Sequence, residues 1–101
     1  RVEMGRMLGQ RLLNEAKDNA ERLNLLFTLL ASREPTAAER AACMGLLAKL
    51  KERYTDNDRD AQAFLSGGDP PRDKKLNVAE HAAWAQVSLT VLASDLAMLV
   101  Y

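Results

Sequence analysis

One tryptophan, two phenylalanines and two tyrosines are the whole aromatic content of this 101-residue chain. Cys43 is its only cysteine and His81 its only histidine. A single cysteine excludes an internal disulfide, a CxxC redox pair and a CxxCH haem attachment site. A single histidine leaves a transition-metal site short of partners, with only Cys43 and scattered carboxylates to help it. Charge of one sign is missing too: 14 basic residues stand against 14 acidic ones. Nucleic-acid affinity rests largely on neutralised phosphates, so a balanced chain lacks that footprint and no nucleic-acid partner is expected. Lys49, Lys51 and Arg53 form a local basic group, and Arg72, Lys74 and Lys75 another. Glu52, Asp56, Asp69 and Asp73 dilute both, which reads as solvated surface. The most apolar stretch, Val87 to Tyr101, is broken by Ser88, Thr90, Ser94 and Asp95. It is too short and too polar to insert in a membrane. No strand alternation, internal repeat or low-complexity tract is present.

What is there is helical. Apolar residues make up 48% of the chain, enough for one globular core, and a compact chain of this length buries roughly two-thirds of its unfolded surface. Residues 1–101 therefore read as a single domain. The chain begins at Arg1 without an initiator methionine or a signal-like apolar segment, and the expectation is a piece of a longer protein.

Met4, Leu8 and Leu12, with Met7, predict a first helix from about residue 2 to 17. Gly5 and Gly9 weaken it, or else admit another backbone at close range. Asp18 is a candidate N-cap, and the periodicity leaves open whether the first two helices are one rod. Leu23, Leu26, Phe27 and Leu30 recur at i, i+3, i+4, i+7, widened by Leu25 and Leu29, and mark a buried second helix. Pro35 ends it. Thr36 and Glu39 form a capping box that opens a third helix over about 37–54, with Cys43, Leu46, Leu47, Leu50 and Tyr54 inward. Cys43 then reads as a small core residue. Residues 56–77 read as a long surface connection with one helical turn at 61–65. Asn77, with Glu80 three residues on, opens a last helix whose inward face is Trp84, Val87, Ser88, Val91 and Leu92. Trp84 is expected to be the largest core residue.

Three constellations invite a functional reading. Asp56, Asp58 and Asp60 match the first ligands of a calcium loop, but Ala61 stands where the sharp turn needs glycine and Gly67 where a bidentate glutamate belongs. A polar loop is the better reading, with a weak metal module as the alternative. His81 beside Glu80 suggests a general base or a ligand, yet a partly exposed histidine near a helix cap is the default. Ser88 or Ser94, His81 and Asp95 supply the types of a nucleophilic triad, but they crowd one helix without a nucleophile elbow. Met4, Met7 and Met98, near the chain ends, suit gap filling or contact with a parent protein.

Two stretches resemble a known family. They are Leu26–Arg40, containing Arg33-x-Pro35-Thr36-x-x-Glu39-Arg40, and Glu80–Leu89 continuing into Leu92–Asp95. Together they resemble the C-terminal region of a planctomycete-type family of unknown function. Its members pair an Arg-x-Pro-Thr-x-x-Glu-Arg helix corner with a late Ala-Trp helix. The resemblance spans about residues 20–98. It implies a large exported or periplasmic parent protein with cytochrome-c-like modules. It transfers no catalytic residue, and Ala93, Leu96 and Ala97 replace the family's usual Asn and Glu-Phe ending.

The sequence thus predicts an all-α fold: an antiparallel bundle of about four helices, with one long loop between the third and fourth. Helices two, three and four are expected to form the core, with helix one flanking it. No catalytic, cofactor or metal residue is assigned. The expected role is a non-catalytic accessory domain partnered by other domains of its parent or by a copy of itself; the alternative is part of an enzyme site completed elsewhere.

Overall fold

Capping side chains set the helix boundaries. The computed structural model describes residues 2–65 and 76–99, with side chains described for 4–65 and 76–93. Among the described residues the fold is all-helical: α1 (Val2–Glu15), α2 (Asn19–Ala31), α3 (Ala37–Asp56), α4 (Asp58–Leu65) and α5 (Val78–Leu99). The radius of gyration is 12.9 Å, against about 13 Å for a compact chain of 100 residues.

The first two helices are separate. Asp18 is extended (φ −138°, ψ 173°) and its carboxylate accepts the Glu21 N–H, so the chain restarts there as a capped helix. At its far end α2 stops before proline intervenes. Ser32 turns left-handed at φ 58°, and its N–H donates to the Thr28 carbonyl. A non-glycine residue in that region costs about 1 kcal/mol. The capping box at α3 is complete: Thr36 Oγ1 accepts from Glu39 N at 3.1 Å and Glu39 Oε1 from Thr36 N at 2.8 Å.

A fifth helix replaces the start of the expected loop. Asn57 Oδ1 accepts the Asp60 N–H at 3.3 Å, and Ala61 and Leu65, one turn apart, are both buried. Two inward residues and one capping side chain suffice to order eight residues packed on a neighbour, although propensity alone does not. The Ser66–Pro71 turn expected further on lies outside the described residues. Asn77 caps α5 as expected, accepting the Glu80 N–H at 2.9 Å. The Glu80 carboxylate turns instead toward Arg22 (3.7 Å) and Lys51 (3.6 Å), bringing α2, α3 and α5 together.

α5 is the centre of the fold. His81, Ala82, Ala83, Trp84, Ala85, Val87 and Ser88 are fully buried. Tyr54 on α3 donates its hydroxyl to Gln86 Oε1 at 2.6 Å, and Leu47 and Leu50 join the same core. Leu23, Leu26 and Phe27 are α2's buried residues.

The largest departure concerns α1. It does not merely flank the core; its packing on α5 is the most extensive between any two of the described helices. The two run antiparallel, Gly5 lying over Leu89 and Ala85, and Gly9 over Ala85 and His81. A Cβ on Gly9 would stand 2.9 Å from Ala85 N, and one on Gly5 would stand 2.7 Å from Ala85 O. Side chains cannot occupy either position without parting the helices. The inward face of α1 accordingly includes Gly5, Gly9 and Leu12, continued by Ala16 just past its end, all buried. Met4 and Met7, which the period groups with Leu8 and Leu12, are each 52% exposed.

Candidate functional site

Among the candidate site residues, His81 is where sequence and structure differ most. It sits in the first turn of α5, the usual place for a half-wet histidine, but is 0% exposed. The cause is α1: with glycine at positions 5 and 9 the helices close over the imidazole. Its Nε2 lies 2.8 Å from the backbone carbonyl oxygen of Arg6. A carbonyl only accepts, so Nε2 carries the hydrogen and donates. A nitrogen committed in this way is not presented as a base or as a metal ligand.

Arg6 is the residue that sequence reasoning missed. It lies one position from the glycine seam and is only 3% exposed. Arginine on a helix usually faces water, and no signal in the chain marks this one as inward. Trp84 and Ser88 continue the stripe begun by His81 at i, i+3 and i+7. Both are fully buried, and neither Trp84 Nε1 nor Ser88 Oγ has a hydrogen-bond partner among the described residues. His81 and Ser88 are two turns apart on one helix, about 10 Å of rise, so the imidazole does not reach the hydroxyl. The side chains of Ser94 and Asp95 lie outside the described residues.

The three aspartates do not share a loop. Asp56 ends α3, while Asp58 and Asp60 belong to α4. Asp58 accepts from Gln62 Nε2 at 2.6 Å. Asp60 accepts from Asn57 Nδ2 at 3.1 Å and lies 3.9 Å from Arg53. Among the described residues no three His, Cys, Asp or Glu side chains come together as a metal set. Two members of the first basic group are likewise engaged, Lys51 with Glu80 and Arg53 with Asp60 and over the Tyr54 ring, while Lys49 is exposed. Arg72, Lys74 and Lys75 lie outside the described residues.

The titration landscape favours structure over chemistry. Burial, and then the nearby Glu39 charge, pushes the Cys43 thiol up, away from the reactive thiolate. Cys43 and Leu46, expected inward, are in fact half-buried. Burial also raises Tyr54. Among the described residues Glu39 is the one carboxyl held low, to about 2, mainly by its hydrogen bonds with Arg33 and then by the Thr36 backbone N–H. The Arg33 guanidinium grips it with two bonds of 2.7 and 2.9 Å while lying over the Phe27 ring. Arg40 reaches back to Asn24 at 2.7 Å. Every residue of the Arg33-x-Pro35-Thr36-x-x-Glu39-Arg40 string thus has structural work: Arg33, Thr36, Glu39 and Arg40 in these bonds, Pro35 by burial.

No helix among the described residues is long and apolar enough to cross a membrane. Comparison with protein-family models, curated proteins and solved structures finds no match to this chain.

Proposed function

We propose that the chain is a non-catalytic helical accessory domain that docks on a neighbouring domain of its own, exported polypeptide. The observation that carries this reading is the outer face of α1, where Met4 and Met7 stand half exposed although the helix is otherwise packed on α5. Methionine is adaptable and suits a contact surface. A covalently attached neighbour is the favoured occupant on grounds of size. A stable interface between free proteins buries about 800 Å² on each side, and two half-exposed side chains fall far short of that. A tethered domain works at an effective concentration in the millimolar range, where a small patch suffices.

In this reading the helices form an antiparallel bundle around α5. The family suggested by the Arg-Pro-Thr-Glu-Arg corner and the Ala-Trp helix supplies the exported parent. Nothing in the geometry favours the alternatives, a shared enzyme site at His81 or a metal module at Asp56, Asp58 and Asp60.

Methionine oxidation tests the proposal. Dilute peroxide should oxidise Met4 and Met7 readily in this chain and several-fold more slowly in the longer polypeptide, as read by peptide mass spectrometry. Equal rates in both would sink the docking surface. Protection that instead grows with concentration of the isolated chain, with a matching rise in sedimentation mass, would replace the neighbouring domain with a second copy.

A further inference from the structure

Trp84 Nε1 and Ser88 Oγ are buried polar atoms with no hydrogen-bond partner among the described residues. In native proteins such atoms are nearly always paired, and an unmodified core offers two common explanations for an exception: a bound water or a bound ion. The two residues lie at i and i+4 on α5, so their Cβ atoms are about 6 Å apart on one stripe. The indole N–H only donates, while the hydroxyl donates or accepts. What this pair lacks is therefore an acceptor shared between neighbouring turns. The stripe runs on to His81, whose Nε2 is held by the Arg6 carbonyl, beside a buried arginine side chain. Both residues are 0% exposed, so a guest that meets them is a small one.

We infer that α5 carries a small internal binding site in which one hydrogen-bond acceptor, a water or a halide-sized anion, bridges Trp84 Nε1–H and Ser88 Oγ–H. The site couples the only tryptophan to the helix turn that follows it. It is independent of the docking face on α1, because Met4 and Met7 point away from α5.

The experiment exploits the single indole in the chain, which gives one indole N–H proton resonance. Ser88→Ala should move that resonance and lower the folding equilibrium constant about fivefold with Trp84 present, but change it little in a Trp84→Phe background. A saturable shift of the resonance with chloride or bromide at fixed ionic strength identifies the guest as an anion. A cross-peak to water with no halide response identifies it as water. An unmoved resonance, or a Ser88→Ala effect that is the same in both backgrounds, would overturn the site; the hydroxyl would then merely turn back to the carbonyl four residues earlier. Trp84→Phe keeps an aromatic ring at the cost of a cavity, and circular dichroism confirms that both backgrounds are folded before the comparison is made.

Discussion

The α2–α3 corner and the α1–α5 seam each hold two helices together, with opposite chemistry. At the corner polar side chains do the joining: a capping box, a bidentate Arg33–Glu39 pair, Arg33 over Phe27, and Arg40 on Asn24. At the seam almost nothing projects. Gly5 and Gly9 let two backbones meet, and a hydrogen bond from His81 to the Arg6 carbonyl crosses the gap. A corner built from side chains tolerates local loss, because each bond contributes only about 1 kcal/mol. A seam built from absent side chains has no such tolerance, since any added atom must displace backbone.

The largest effect should therefore come from the smallest change. Gly9→Ala adds one methyl group at 2.9 Å from Ala85 N and 3.2 Å from its Cα. Alanine is the better helix former by about 1 kcal/mol, yet the clash should prevail and cost about 2 kcal/mol net. Urea denaturation reads this directly. A stabilised Gly9→Ala variant would show that the helices do not approach as closely as described.

Thr36→Ala comes next. It removes the acceptor for the Glu39 N–H and half of the capping box, at a cost of about 1 kcal/mol. The remaining bonds of the corner should keep the loss near that value. A loss as large as that of Gly9→Ala would erase the contrast between the two regions.

These regions were also unequally legible in the sequence. The corner is written in local code: Thr36 and Glu39 at the right spacing before an apolar run announce a helix start, and Asp18 and Asn77 do the same elsewhere. The seam is a tertiary fact carried by glycine, whose conformational weakness in a helix and usefulness in close packing look alike from sequence. Gly5 and Gly9 admitted both readings, and only the position of Ala85 decides between them. The period of Met4, Leu8 and Leu12 gives the helix but not the face that its glycines turn to α5. His81 then looked like a cap-region residue because the helix that buries it lies 75 positions earlier. α4 was half legible for a related reason: the turn at 61–65 is expected, but its two anchors, Ala61 and Leu65, are too few to carry a period back to Asp58.

Gly45 separates the two roles of glycine. It lies on the exposed face of α3, and a Cβ there would meet nothing within 4 Å. With no clash to oppose the propensity gain, Gly45→Ala should stabilise the chain by about 0.7 kcal/mol. Thermal and urea midpoints should both rise. A loss at Gly45 comparable to that at Gly9 would mean that α3, too, is closely approached by another segment.

The smallest effect is the most specific to the corner. Hydrogen bonds from Arg33 and then Thr36 hold the Glu39 carboxyl at about 2, below its ordinary 4.5. The folded state thus takes up this proton less readily than the unfolded chain. Its contribution is complete above about pH 4.5 and is lost as pH falls through about 2. Glu39→Gln should accordingly be less stable than the parent chain by a constant margin near neutral pH, and the margin should close between those two values. Because the pair is partly exposed, with side-chain exposures of 36% for Arg33 and 25% for Glu39, added salt should narrow the margin as well. The seam offers no such dependence through Glu39, so the Gly9→Ala deficit should run parallel to the parent chain over that carboxyl's window. Margins that persist at pH 2 for Glu39→Gln would place the corner's strength in packing rather than in its charged bonds.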